Sequence, residues 1–141
     1  MCELWESLAN RVYNTPAGIN GLSADERTVF AVTNFESEVY NGGFWQYFFN
    51  SAGDHYRQTV VGLNVLGGAN QSRELLQLAV RLGFGCQDLP ADRGTRMEMM
   101  DSPRYEKWRE AIDVLTDAYY DADEKLGEKL ERFAKARALI K

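Results

Sequence analysis

The chain predicts an all-α fold, one domain of six or seven helices spanning residues 1–141, and three observations lead there. Apolar residues recur at steps of three and four over most of its length, the period of a helix with one buried face. Start and stop signals separate these stretches: a Ser-x-x-Glu box at 23–26, glycine pairs at 42–43 and 67–68, and a Ser-Pro step at 102–103. With 141 residues, 45% hydrophobic and 26% charged, the chain is long enough to bury a core without staples, and its composition is globular rather than disordered.

Leu4, Trp5, Leu8 and Val12 make residues 3–14 the first helix, closed before Pro16. After a Gly/Pro/Asn loop over 15–23, Ser23 and Glu26 form a capping box for a second helix, which Val29, Phe30, Val32, Glu36 and Tyr40 carry to Asn41. Ser51 to Asp54 reads as a turn with Asp54 capping a third helix over 55–66, which carries Val60, Val61, Leu63 and Leu66. Gly67-Gly68 breaks it, and 69–83, with Leu75, Leu76, Leu78, Ala79 and Leu82, forms a fourth helix that Gly83 stops. Those two make an αα-hairpin. Residues 84–101 read as a loop whose Met97, Met99 and Met100 cover the core edge. Ser102 and Pro103 start the last segment, where Trp108, Ile112, Leu115, Tyr119, Leu126, Leu130 and Phe133 keep an apolar stripe. One helix to Ile140 would be unusually long, so a bend is expected near 121–123.

The oddest composition lies between the second and third helices. Asn41 to Asn50 holds two glycines, five aromatics and a glutamine. Asn41, Gly42 and Gly43 stop the preceding helix, after which Phe44, Tyr47 and Phe48 put large rings on one face. Gln46 and Asn50, four apart, share a side, and amides beside a helix break most often satisfy loose backbone groups. Glu36 and Glu38 sit where the helix dipole disfavours negative charge, so each needs solvent or a partner; for Glu38, Arg57 or an N–H of the next helix is expected. The stretch contains no nucleophile or base and reads as an organising joint.

Glu38-x-x-Asn41-Gly42-Gly43-Phe44-x-Gln46-Tyr47-Phe48-x-Asn50 resembles the E-x-x-N-G-G-F-x-Q-[FY]-[FY]-x-N core of a family of small bacterial domains of long-unassigned function, one that includes a DNA-mimic protein. Gly62-Leu63, Leu66 to Ala69 and Leu75-Leu76 resemble that family's next helical pair, and Pro90-x-x-Arg93-x-x-Arg96 follows as it does there; the likeness covers roughly 24–130. It implies an all-α fold, no known cofactor or catalytic residue, room for a homodimer and, in at least one branch, binding to DNA-binding proteins through an acidic surface. Arg93 and Arg96 are expected to pair structurally, with motif residues such as Glu38, rather than with a substrate.

A net charge of −5 and a pI near 4.9 argue against direct nucleic-acid binding and are compatible with basic protein partners. Two cysteines make no disulfide framework, no run of about 18 apolar residues forms a membrane span, and the acidic start is unlike a secretory signal, so a cytoplasmic protein is expected. His55, the one histidine, is expected to be solvent-exposed or capping. No zinc, di-metal or phosphate-loop pattern is present, and neither catalytic residues nor cofactors are assigned.

The last third is more informative. Glu106, Glu110, Asp113, Asp117, Asp121, Glu124, Glu128 and Glu131 advance by steps of three and four, so a helical register holds eight carboxylates on one face. Residues 98–131 hold eleven acids against five bases, −6 in a chain of −5. A solvated face with Lys125 and Lys129 in helical pairs is the plainer account. The reading carried forward is a non-enzymatic acidic protein that meets a basic DNA-binding protein through these carboxylates. A small ligand-binding or hydrolase domain, with a pocket lined by Tyr40, Phe44, Gln46, Asn50 and Arg93, is the alternative. A toxin-neutralising protein shares the acidic-surface physics.

Overall fold

Seven α-helices and two short 3-10 turns, with no strand, make up the computed structural model, which describes residues 1–141. Helix α1 (Cys2–Asn14) turns Leu8 and Val12 inward. The capping box works as expected at the start of α2 (Ala24–Phe49): the Ser23 hydroxyl accepts from the Glu26 N–H, and the Glu26 carboxylate accepts from the Ser23 N–H at 2.9 Å. Glu26 also pairs with Arg11 at 2.7 Å, which ties α1 to α2.

Helical geometry stops at Gly42 and Gly43, as expected, and resumes at Phe44. Gly43 has φ +75° and ψ −174°, a backbone conformation essentially confined to glycine, and it divides α2 into a long arm and a short one. The N–H of Phe44, released by the kink, donates to the Thr116 hydroxyl at 3.2 Å. A Cβ on Gly43 would sit 3.1 Å from that same threonine side chain. Gly43→Ala is therefore expected to cost about 1–3 kcal/mol through backbone strain, with crowding of Thr116 in addition. A melting temperature equal to that of the wild type would show that the kink tolerates a side chain.

Beyond the bend, Phe44, Tyr47 and Phe48 are fully buried, as their spacing predicts. Their rings join Phe35, Phe84 and Tyr119 in stacked and edge-to-face contacts with centroids 5.1–6.3 Å apart. This forms the centre of a 20-residue core. A second cluster of seven residues packs α1 and the Gly18–Gly21 turn against Val29 and Phe30 of α2 and Ala134 near the C-terminus.

Four sequence expectations need correction. Residues 51–55 form a 3-10 turn in which Asp54 caps nothing, and α3 (Tyr56–Leu66) starts without a side-chain cap. Helix α4 (Asn70–Phe84) is closed by Gly85 in the left-handed conformation, not by Gly83; Gly83 is buried, and a Cβ there would meet Tyr105 and Ile112 at 3.0–3.1 Å. Residues 93–100 are a helix, α5 (Arg93–Met100), capped by the Asp92 carboxylate accepting from the Thr95 N–H. Lys125 and Lys129 make none of the expected helical ion pairs, and Lys129 instead donates to the Gly68 carbonyl at 2.7 Å. Ser102 and Pro103 do open α6 (Pro103–Ala122), and the expected bend follows it: Asp123 and Lys125 both take positive φ before α7 (Leu126–Ala136). No helix is long and apolar enough to cross a membrane.

Candidate functional site

At the joint the polar residues use each other. The Glu38 carboxylate accepts from the Gln46 side-chain amide at 2.8 Å and from that of Asn50 at 2.9 Å, which answers the charge on the long arm from across the kink. Neither Arg93 nor Arg96 pairs with Glu38, and Arg57 pairs with Asp88 instead. Arg96 is fully buried. Its Nε donates to the Phe48 carbonyl, Nη1 to those of Pro90 and Ala91, and Nη2 to the Asn50 carbonyl and the Asp54 carboxylate, all at 2.7–2.9 Å. Five N–H donors thus find five acceptors, and one of them, the Phe48 carbonyl, is an orphan of the last turn of α2. Arg93 is exposed, donates to the Phe49 carbonyl at 2.7 Å and lies over the Phe49 ring. Asn41 and Gly42 are exposed at the bend.

The pocket expected from Tyr40, Phe44, Gln46, Asn50 and Arg93 does not form. Phe44 is sealed in the core, both amides are engaged by Glu38, and none of the main clefts is lined by Gln46, Asn50 or Arg93. Tyr40 faces a different cleft, formed with the end of α6.

His55 occupies the N-cap position of α3, but its side chain makes no capping bond and is not exposed. It is half-buried, packs edge-on against Phe30, and its Nε2 has no hydrogen-bond partner. Burial holds its pKa below the ordinary value, against the pull of Asp54 and with help from Arg96. The folded state therefore favours the neutral ring. Its contribution to stability is complete above the unfolded value of about 6.5 and is lost as the pH falls below it. The melting temperature of the wild type should fall relative to that of non-titrating His55→Phe as the pH drops through that range, and a difference that does not change with pH would rule the contribution out. No group of three or more His, Cys, Asp or Glu side chains is placed to hold a metal ion, and Cys2 and Cys86 are free and exposed.

Along α6 the carboxylates of Glu106, Glu110, Asp113, Asp117 and Asp121 are exposed, on a face opposite buried Tyr105, Ile112, Thr116 and Tyr119. Glu106 has a loose partner, Arg109 at 3.8 Å; the other four have no ion pair. The expected continuation stops at the linker. Glu124 turns toward α4, where its carboxylate accepts from the N–H groups of Ser72 at 2.6 Å and Gln71 at 3.4 Å, capping a helix that lacks a cap of its own. Glu128 and Glu131 are exposed on α7, beyond two left-handed residues that interrupt the α6 period, and Glu131 meets Lys135 at 3.5 Å.

Comparison with known proteins places this geometry in a family. No curated protein and no solved structure matches the chain. A family model described as DMP19-like protein matches residues 20–137, which takes in the kinked helix, the Arg96 helix and the whole acidic face. The chain therefore belongs to the DMP19-like protein family.

Proposed function

We propose that this protein is a non-enzymatic interaction protein of the DNA-mimic type, which occupies the DNA-binding surface of a basic protein with the carboxylate row of α6. The observation that carries the reading is the row itself. Five acids advance by steps of 4, 3, 4 and 4 along one uninterrupted helix, roughly 5 Å apart along its axis, and only Glu106 is partly neutralised by its own chain. A series of like charges held on a rigid element repels itself, and a complementary basic surface relieves that repulsion. Family membership supports a role in binding proteins rather than in turnover.

The test is competition. A DNA-binding protein from a basic panel, preloaded on labelled duplex, should be released by this protein, and the release should weaken steeply with added salt because it rests on screened charges. If no member of the panel associates in a salt-sensitive way, the reading is abandoned.

A further inference from the structure

A cleft of about 420 Å³ opens where the long arm of α2, the start of α4, the end of α6, the 123–125 linker and the start of α7 meet. Tyr40, Tyr119 and Tyr120 form its aromatic wall, Glu36, Asp123 and Glu124 its acidic one, and Lys125 is its single basic side chain. Folding accounts for Tyr119, a core residue, and for Glu124, which caps α4, but not for the exposed ring of Tyr40 or the unpaired Glu36. Tyr40 keeps 72% of its surface exposed and Tyr120 39%. Their rings stand edge-to-face, with centroids 6.4 Å apart and an angle of 86°, so ring surface is left to solvent. Tyr120 is nevertheless fixed, because its hydroxyl donates to the carbonyls of Val39, at 2.5 Å, and Tyr40, at 3.2 Å.

Glu36 lies one turn before Tyr40 on the same helix face. It is half-buried and makes no hydrogen bond or ion pair within the protein, and burial raises its pKa from the ordinary value. An unpaired carboxylate in that position costs stability until a cation arrives. Bare tyrosine faces attract a cation through the ring quadrupole, and the carbonyl end of the long arm adds the negative pole of a helix dipole. Glu124 is committed to the N-terminus of α4, so the carboxylates free to respond are Glu36 and Asp123, opposed by Lys125. A planar guanidinium can stack on a ring and pair with a carboxylate at once, whereas an ammonium offers only its charge.

We propose, on the reading of α6 as a partner-binding face, that this cleft is the anchor site for an arginine side chain of the basic partner, whose guanidinium stacks on Tyr40 and Tyr120 and pairs with Glu36. The acidic row runs directly into it: Asp117 and Asp121 flank Tyr120 on α6, and the Asp117 charge acts on the Tyr120 hydroxyl. Such a buried, aromatic-lined anchor beside an exposed charged rim is the usual division of labour at an interface.

The experiment is an NMR titration of the intact protein with argininamide, lysinamide and citrullinamide. Argininamide should shift the Tyr40 and Tyr120 ring signals saturably, lysinamide should bind more weakly, and citrullinamide, whose side chain is uncharged, should leave them unmoved. Tyr40→Ala and Glu36→Gln should each weaken argininamide about tenfold, while Asp113→Asn, outside the cleft, should not. Glu36→Gln removes an unpaired charge and should raise the melting temperature, which separates lost binding from lost folding. Absence of a saturable shift, equal binding of lysinamide or citrullinamide, or full binding by either cleft variant would overturn the anchor. If argininamide binds as expected and no basic DNA-binding protein associates, the α6 reading fails while the guanidinium preference stands.

Discussion

Arg96→Met is expected to destabilise the fold by about 3–5 kcal/mol, because it removes a fully buried guanidinium from half-buried Asp54 and takes a donor from each of four backbone carbonyls. Methionine fills much of the volume, so the loss is chiefly polar. The carbonyls of Phe48, Asn50, Pro90 and Ala91 and the Asp54 carboxylate would all lose a donor. For a chain of this size that corresponds to a fall in melting temperature of roughly 10–20 °C. Arg96→Lys should recover little, since an ammonium has three donors and cannot copy the fork that reaches two chain segments at once. Thermal and urea denaturation of both variants measure this. A melt for Arg96→Met close to that of the wild type would mean that the segments around the joint hold together without the guanidinium.

Reversing Asp113, Asp117 and Asp121 together to lysine is expected to lower affinity for a basic DNA-binding protein at least about a hundredfold at moderate salt, since three attractions become three like-charge oppositions. All three side chains are exposed and unpaired, so the folded body should be untouched and its circular dichroism and melting temperature should stay near those of the wild type. Neutralising the same residues to asparagine should produce a smaller loss and a shallower dependence of affinity on salt. Affinity unchanged by the reversal, with the fold intact, would remove α6 from the binding surface.

Much of the fold is legible in the sequence because its signals are local. The Ser23–Glu26 box, the kink at Gly43, the buried face of Phe44, Tyr47 and Phe48, and the Ser102-Pro103 start all depend on neighbours within a few residues. The misses share a different property. Gly83 and Gly85 look equally suited to stop a helix, yet one is small because Tyr105 and Ile112 press on it and the other because its φ is 72°. Asp54 resembles a cap, but its partner is Arg96, 42 residues away. Helix α5 lacks a clear apolar stripe, since its one buried side chain is that same arginine.

The candidate site divides along the same line. Steps of three and four identify the row on α6, where a single helix supplies every member. They cannot detect that Asp123 and Lys125 adopt left-handed angles, nor that Glu124 serves the start of α4 from 52 residues away. The Tyr40 cleft is invisible to periodicity because its walls come from separate elements. Glu38 shows the intermediate case: its partners Gln46 and Asn50 are in the same short motif, and only the bend brings them within reach.

On the proposed reading, the break after Ala122 also limits how much duplex one chain would imitate. From Glu106 to Asp121 the charged row is ~22 Å long, against about 34 Å for one turn of B-form DNA. A symmetric repressor that grips two half-sites a full turn apart would therefore be only half covered by a single copy. Complete occlusion of such a target would then take one chain per recognition element.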